Sequence, residues 1–231
     1  KIVMKTLLPL ATVIILFLSL YLVFGYADYE KTMLEVQKIF YFHVSSAFTS
    51  FLAFAVTCVC SIIYLVKRNF KADLIAANSA ELGLVFATIV LTTAPIWAKS
   101  SWNTWWNWEP RLTSTLILWL TYAGYFILRN SASSAKKKRF SAVFGIVAFL
   151  NVPIVYYSVK LWQSTSLHPP TTTRSSLAES MRSAWLISWF ALTLIYVVLL
   201  KMRTDLEIIL HKLNNMQVDL SLIHISEPTR R

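Results

Sequence analysis

Six stretches of this chain run for 17 to 24 residues without a single Asp, Glu, Lys or Arg: residues 7–24, 43–66, 82–98, 112–128, 140–159 and 183–200. A helix needs about 20 mostly apolar residues to cross the hydrocarbon layer of a bilayer. Each stretch is therefore a candidate membrane-spanning helix. The third and fourth, at 17 residues, are the shortest. An open sheet cannot satisfy its edge groups in lipid, and these runs lack the strict alternation of a transmembrane barrel. The reading is an all-α integral membrane protein. It has one membrane domain over residues 1–205 and a polar tail over 206–231, whose last part, from 220, shows no pattern connecting it to the rest.

Composition agrees. Apolar types make up 56% and charged types 14%, against about 25% charged in a soluble domain. The formal charge of +11 would suggest nucleic acid in a soluble protein. In a membrane protein the placement of Lys and Arg matters more. With the N-terminus inside, 15 of the 22 Lys+Arg fall in inside segments, clustered at 67–71, 129–139 and after 200. The positive-inside rule then gives N-in, C-in, and nucleic acid is not needed as a partner. The first span follows Lys1 and Lys5 and precedes Gly25-Tyr26-Ala27, which resembles a signal peptide. Its apolar run exceeds the roughly 7–15 residues of a signal core, so a retained helix is expected. Cys58 and Cys60 lie two apart in the second span and read as helix packing. Pro95 and Pro153 are expected to kink their helices.

This topology gathers three unusual features on the outer face. His43 stands where the first outer loop enters the second span, and His168 lies in the third outer loop. Between them in chain order, five of the nine Trp fall within the twelve residues 97–108. A short interfacial helix there would place Trp102, Trp105 and Trp106 on one face, as a flat apolar shelf. An aromatic belt and a ligand platform both fit that composition. Trp185 and Trp189 fit a belt. Two imidazoles suit iron, zinc or copper. Two imidazoles plus a broad planar surface describe a bis-His haem better than a bare-metal cage. Lys99, Arg111, Lys160, Arg174 and Arg182 are the outer-face cations that could pair with haem propionates.

The segment Trp102-Asn-Thr-Trp-Trp-Asn-Trp-Glu-Pro-Arg-Leu-Thr-Ser114 resembles the tryptophan-rich "WWD" signature of the haem-handling proteins of cytochrome c maturation. Its Arg-Leu-Thr-Ser ending is similar to the CcmC branch. Tyr41-Phe-His43-Val and Leu161-Trp-Gln-Ser-Thr-Ser-Leu-His168 resemble the two histidine motifs of that branch. The resemblance covers roughly residues 6–200. Three departures stand out. Asn103 replaces the usual Gly, Glu109 replaces the usual Asp, and Val44-Ser45-Ser46 lacks a Pro after the first histidine.

The resemblance implies a non-enzymatic, multi-pass protein of the bacterial inner membrane, with the mitochondrial inner membrane as the alternative. It would hold b-type, non-covalently bound haem in transit on the periplasmic side. His43 and His168 would ligate the iron. Trp102, Trp105, Trp106, Trp108, Glu109 and Arg111 would form the rest of the haem site. The implied partners are a CcmE-type haem chaperone, CcmA/CcmB-type ABC transporter subunits, a CcmD-type single-span subunit and the lipid bilayer. A secondary transporter of a small solute and a haem lyase of the same superfamily are the competing readings. Against the first, the six spans hold no Asp, Glu, Lys or Arg to couple ions, and the second needs a longer chain with more histidines.

Overall fold

The computed structural model describes residues 2–30, 33–130, 135–168 and 177–226. Their regular structure is all helical, with no strand among them. Helix α1 (Ile2–Tyr21) runs into a π-helical turn at Leu22–Tyr26. Helices α2 (Lys38–Lys67) and α3 (Phe70–Trp102) form the central pair. Helix α4 (Pro110–Asn130) follows the Trp-rich loop. Helices α5 (Ala135–Phe149) and α6 (Asn151–Leu161) continue one another, and α7 (Glu179–Ser226) closes the bundle.

Five helical segments among the described residues are long and apolar enough to cross a membrane: Thr6–Tyr26, Leu34–Lys67, Phe70–Trp102, Lys138–Leu161 and Glu179–Gln217. The fourth expected span, α4, has the length, at 21 residues, but falls short in hydropathy. Thr113, Ser114, Thr115 and Thr121 dilute it. The Thr115 and Thr121 hydroxyls donate to the carbonyls of Arg111 and Ile117, each 2.7 Å away and one turn back, so these two polar groups are satisfied within the helix.

The helices outrun their apolar stretches. At about 1.5 Å per residue, the 33 residues of α3 span about 50 Å, well beyond a hydrocarbon core of about 30 Å. Helix α7 runs on as one helix into the polar tail, as far as Ser226. The fifth span is broken at Leu150, between α5 and α6. Pro153 supplies the cause: it lacks the N–H that would bond the Phe149 carbonyl, and in the first turn of α6 that loss costs nothing. Helix α3, by contrast, runs on through Pro95.

Small residues bring α2 and α3 together. Ser46, Thr49, Ser50, Ala53, Thr57 and Ser61 are buried on α2, against Ala72, Ala76, Ala80, Gly83 and Ala87 on α3. Such stripes let helix backbones approach closely in lipid, where dispersion and hydrogen bonds replace the hydrophobic drive. Ser79 Oγ donates to the Ala53 carbonyl, 2.7 Å away. Phe54 stacks on Tyr122 of α4 at 3.7 Å. A Cβ on Gly83 would sit 2.6 Å from the Phe54 ring, so only glycine admits this stack. Phe54, Tyr122, Tyr125 and Leu118 form the central core with Val152 and Val155 of α6. Large apolar side chains such as Phe17, Ile127 and Val147 point outward, as lipid-facing residues do. Helix α1 is tied to α7 by Ser19 Oγ and Ser188 Oγ, 2.8 Å apart and buried.

Charge collects at one end of the bundle. Asp73 is buried and accepts a two-pronged bond from Arg129 at 2.8 and 2.9 Å, with Lys138 Nζ at 3.6 Å. Arg203 pairs with Glu81 nearby on α7 and α3. Both histidines of interest lie at the opposite end.

Candidate ligand site

The site is built where α2, α3, α4, α6 and α7 diverge, at the end of the bundle remote from Asp73. A cavity of about 210 Å³ opens there. His43 and His168 both line it, together with Trp97, Arg111, Tyr156 and Trp185. Its deeper walls are apolar, from Phe48 and Phe51 of α2, Ala87 and Val90 of α3 and Leu118 of α4.

His43 lies within a helix rather than at its entrance. Helix α2 begins at Lys38, after a 3-10 turn at Leu34–Gln37, so the ring sits in the second turn. Its Nδ1 is 2.8 Å from Thr93 Oγ1 on α3. The Thr93 hydroxyl donates to the Ile89 carbonyl at 2.7 Å, which leaves its oxygen to accept. That assigns the proton to Nδ1 and leaves the Nε2 lone pair bare. The missing Pro after His43 fits this local structure, because α2 continues unbroken through the buried Ser45 and Ser46.

His168 arrives from the loop after α6. Trp97 and Trp102 flank its ring, at centroid distances of 5.9 and 5.1 Å. Trp97 and Trp102 themselves meet edge to face at 5.0 Å. The Nδ1 of His168 lies 2.9 Å from Glu109 Oε1, off the line of an ideal hydrogen bond. Glu109 is 4% exposed. Its Oε1 also accepts the Leu112 amide at 2.7 Å, and its Oε2 accepts the Ser166 hydroxyl at 3.0 Å. Glu109 is thus the N-cap of α4, with Pro110 at the first helical position and Leu112 at the third. Burial pushes the Glu109 carboxyl up. The His168 contact, its charge, the Leu112 amide and the Ser166 hydroxyl outweigh burial, and the carboxyl ends below its ordinary value.

The Trp-rich loop is not the helix considered from its sequence. Helix α3 ends at Trp102, because Asn103 adopts a left-handed conformation at φ 58°. Glycine takes that conformation freely and asparagine is the next most tolerant residue, which accounts for Asn103 in place of Gly. Lys99 Nζ donates to Asn103 Oδ1 at 2.9 Å and to its carbonyl at 3.3 Å. Residues 103–109 are irregular, so Trp102, Trp105 and Trp106 share no helical face. Trp105 and Trp108 are 60% and 75% exposed. Trp108 packs its edge on Trp106, at 5.7 Å. None of Trp102, Trp105, Trp106 and Trp108 lines the cavity.

Of the outer-face cations, Arg111 alone among the described residues lines the cavity, and its Nη2 donates to the Tyr156 carbonyl at 3.3 Å. Lys99 is engaged by Asn103, Lys160 and Arg182 lie outside the lining, and Arg174 falls outside the described residues. Trp185 reads in the sequence as a belt residue. In the bundle it packs on Phe40 and Phe48, at 6.2 and 6.1 Å, and closes the cavity wall. Only its position at the start of the last helix hinted at this.

Comparison with known proteins settles the family. The CcmC family, described as Heme exporter protein C, matches residues 2–219. The chain belongs to the Heme exporter protein C family. It is 33% identical over 217 residues to the Heme exporter protein C of Bradyrhizobium diazoefficiens, covering 91% of this chain and 81% of the relative. It is 33% identical over 200 residues to the protein of that name from Escherichia coli K12, covering 85% and 81%. A third Heme exporter protein C, from Paracoccus denitrificans, is 31% identical over 176 residues, covering 74% and 73%. Membership extends over both histidines, the Trp-rich loop and all the helices that frame the cavity. The membership is that of a membrane transport and assembly component rather than an enzyme.

Proposed function

We propose that this protein binds haem in the His43–His168 cavity and delivers it for the maturation of c-type cytochromes. The observation that carries this reading is the convergence of two imidazoles, from α2 and from the loop after α6, on one apolar cavity, with the Nδ1 of His43 bonded to Thr93 and that of His168 2.9 Å from the Glu109 carboxylate. Metal-binding histidines typically commit the far ring nitrogen in this way. Two imidazoles do not complete the coordination of a bare ion, and no group of three or more His, Cys, Asp or Glu suited to a metal occurs among the described residues. A porphyrin supplies the other four nitrogens and asks for an apolar slot. The names of the relatives point to the same cargo.

In this reading His43 and His168 would hold the iron through Nε2. Trp97 and Trp185 give the slot its aromatic walls, and Arg111 stands at its polar rim as a partner for a propionate. Trp105 and Trp108, exposed beside the slot, present an apolar contact to an incoming carrier. The carrier is a CcmE-type chaperone, and the ABC-type subunits and a single-span subunit complete the assembly. The His43 end faces the periplasm, as the inside bias of Lys and Arg requires. The protein supplies ligation, orientation and exposure of the cargo, and makes no bond with its own side chains.

The test is the visible spectrum of the purified protein. A low-spin bis-imidazole spectrum that is altered in both His43→Ala and His168→Ala is the expected result. A haem-free wild type, or unaltered spectra in both variants, overturns the reading.

A further inference from the structure

The two imidazoles are supported by different chemistry, and that difference has a functional consequence. His43 Nδ1 faces a neutral hydroxyl at 2.8 Å, and that hydroxyl is itself committed to the Ile89 carbonyl. His168 Nδ1 faces a buried carboxylate at 2.9 Å. No hydrogen bond to either Nε2 occurs among the described residues. Glu109 does not line the cavity. It stands behind His168, with its two oxygens shared among Nδ1, the Leu112 amide and the Ser166 hydroxyl.

We infer that Thr93 and Glu109 are positioning residues that preset the two imidazoles with Nε2 toward the cavity, and that Glu109 makes His168 the stronger electron donor of the pair. This rests on the haem reading above and deepens it. A carboxylate behind an imidazole draws its Nδ1 proton and raises the basicity of Nε2. A more basic axial ligand favours ferric over ferrous iron and so lowers the reduction potential. The hydroxyl behind His43 accepts the same proton with no charge behind it, so its effect is smaller. The pair is therefore inequivalent by construction. Glu109 also ties His168 to the start of α4 and to Ser166, so the geometry of this ligand is set by the same carboxylate that caps the helix.

The experiment uses the full chain in detergent-solubilised form. The absorption spectrum, the low-spin electron paramagnetic resonance signal and the midpoint potential are recorded for wild type, Glu109→Gln, Glu109→Asp and Thr93→Val. Gln keeps an acceptor for the Leu112 amide while removing the charge, and Asp restores the charge. All readings are taken on the haem-bearing fraction of each protein, so that partial loss of haem does not enter the comparison. The expected result is a potential that rises in Glu109→Gln, returns toward the wild-type value in Glu109→Asp, and rises by a smaller amount in Thr93→Val, with a resonance signal shifted in both the Gln and Val variants. Wild-type potential and signal in Glu109→Gln and Thr93→Val, in a protein whose haem still depends on His43 and His168, overturn this inference and leave the haem reading standing. Should Glu109→Gln fail to accumulate, Glu109→Asp and Thr93→Val carry the test: a Thr93→Val potential equal to wild type then overturns the inference. Absence of haem from the wild type overturns the underlying reading instead.

Discussion

Glu109 Oε1 lies 2.9 Å from His168 Nδ1 and 2.7 Å from the Leu112 amide. One buried oxygen thereby joins the cap of α4 to an imidazole carried by the loop after α6. The helix start, the end of the Trp-rich loop and the second histidine behave as one unit, and the first two predictions follow from that unit.

Glu109→Ala removes a helix cap and leaves Leu112 N–H, Ser166 Oγ and His168 Nδ1 without their buried acceptor. Loss of the cap costs about 0.5–2 kcal/mol, and each buried donor left unpaired adds roughly 1–3 kcal/mol. Thermal unfolding in detergent should show a clear drop in Tm. Glu109→Asp should recover most of it, since Asp is the better N-cap.

The Glu109 carboxyl is depressed in the folded protein, so its stabilising contribution has a defined sign with pH. It is fully present above the ordinary carboxylate value of about 4.3 and is lost as pH falls through the lower folded value. Acid titration of the wild type should therefore show stability falling below that range. Glu109→Gln, which does not titrate, should lose that part of the fall. Equal acid sensitivity in both proteins counts against the assignment.

Gly83→Ala drives a methyl to within 2.6 Å of the Phe54 ring. The Phe54–Tyr122 stack must shift, at a cost of about 1–3 kcal/mol for an overpacked core. The double variant Gly83→Ala with Phe54→Leu should be closer to wild type than the two single effects added together. A strictly additive result would show that the two sites do not share this contact.

Asn103 sits at φ 58°. A β-branched residue there meets a left-handed backbone that costs about 1–2 kcal/mol for an ordinary L-residue. Asn103→Val should lower Tm, and Asn103→Gly should hold or raise it. The reverse order would remove the conformational account of this departure from the family pattern.

The tryptophans should divide by exposure. Trp97 and Trp185 line the cavity, whereas Trp108 is 75% exposed. On the proposed function, Trp97→Ala and Trp185→Ala should weaken haem retention about tenfold or more, the scale of an aromatic wall worth about 1.5–3 kcal/mol. Trp108→Ala should leave retention within about twofold, because its ring loses little buried area, and should lower transfer to the chaperone. Haem titration and a transfer assay separate the two effects.

The charge-free runs, the two histidines, the crowding of Trp and the departures at 103 and 109 are all visible along the chain, because hydropathy and composition are local properties. They suffice for an all-helical membrane fold. They do not reach far enough to say where a helix ends. Helix α3 outruns its apolar stretch by 12 residues at its start, and the Trp-rich loop breaks at a left-handed Asn103 instead of continuing as a helix. Nor do they say which aromatics face the cavity. Trp185 enters it through its packing on Phe40 and Phe48, while Trp105 and Trp108 turn away. The partners of the histidines are decided in the same way. Thr93 reaches His43 across 50 residues because small residues let α2 and α3 approach closely. Glu109 reaches His168 because α4 and α6 pack side by side. The sequence by itself determined which stretches are apolar enough to cross lipid and where the imidazoles and tryptophans stand along the chain. The tertiary structure decided how they are paired, because a hydrogen bond between distant residues exists only once helix packing has fixed the distance between them.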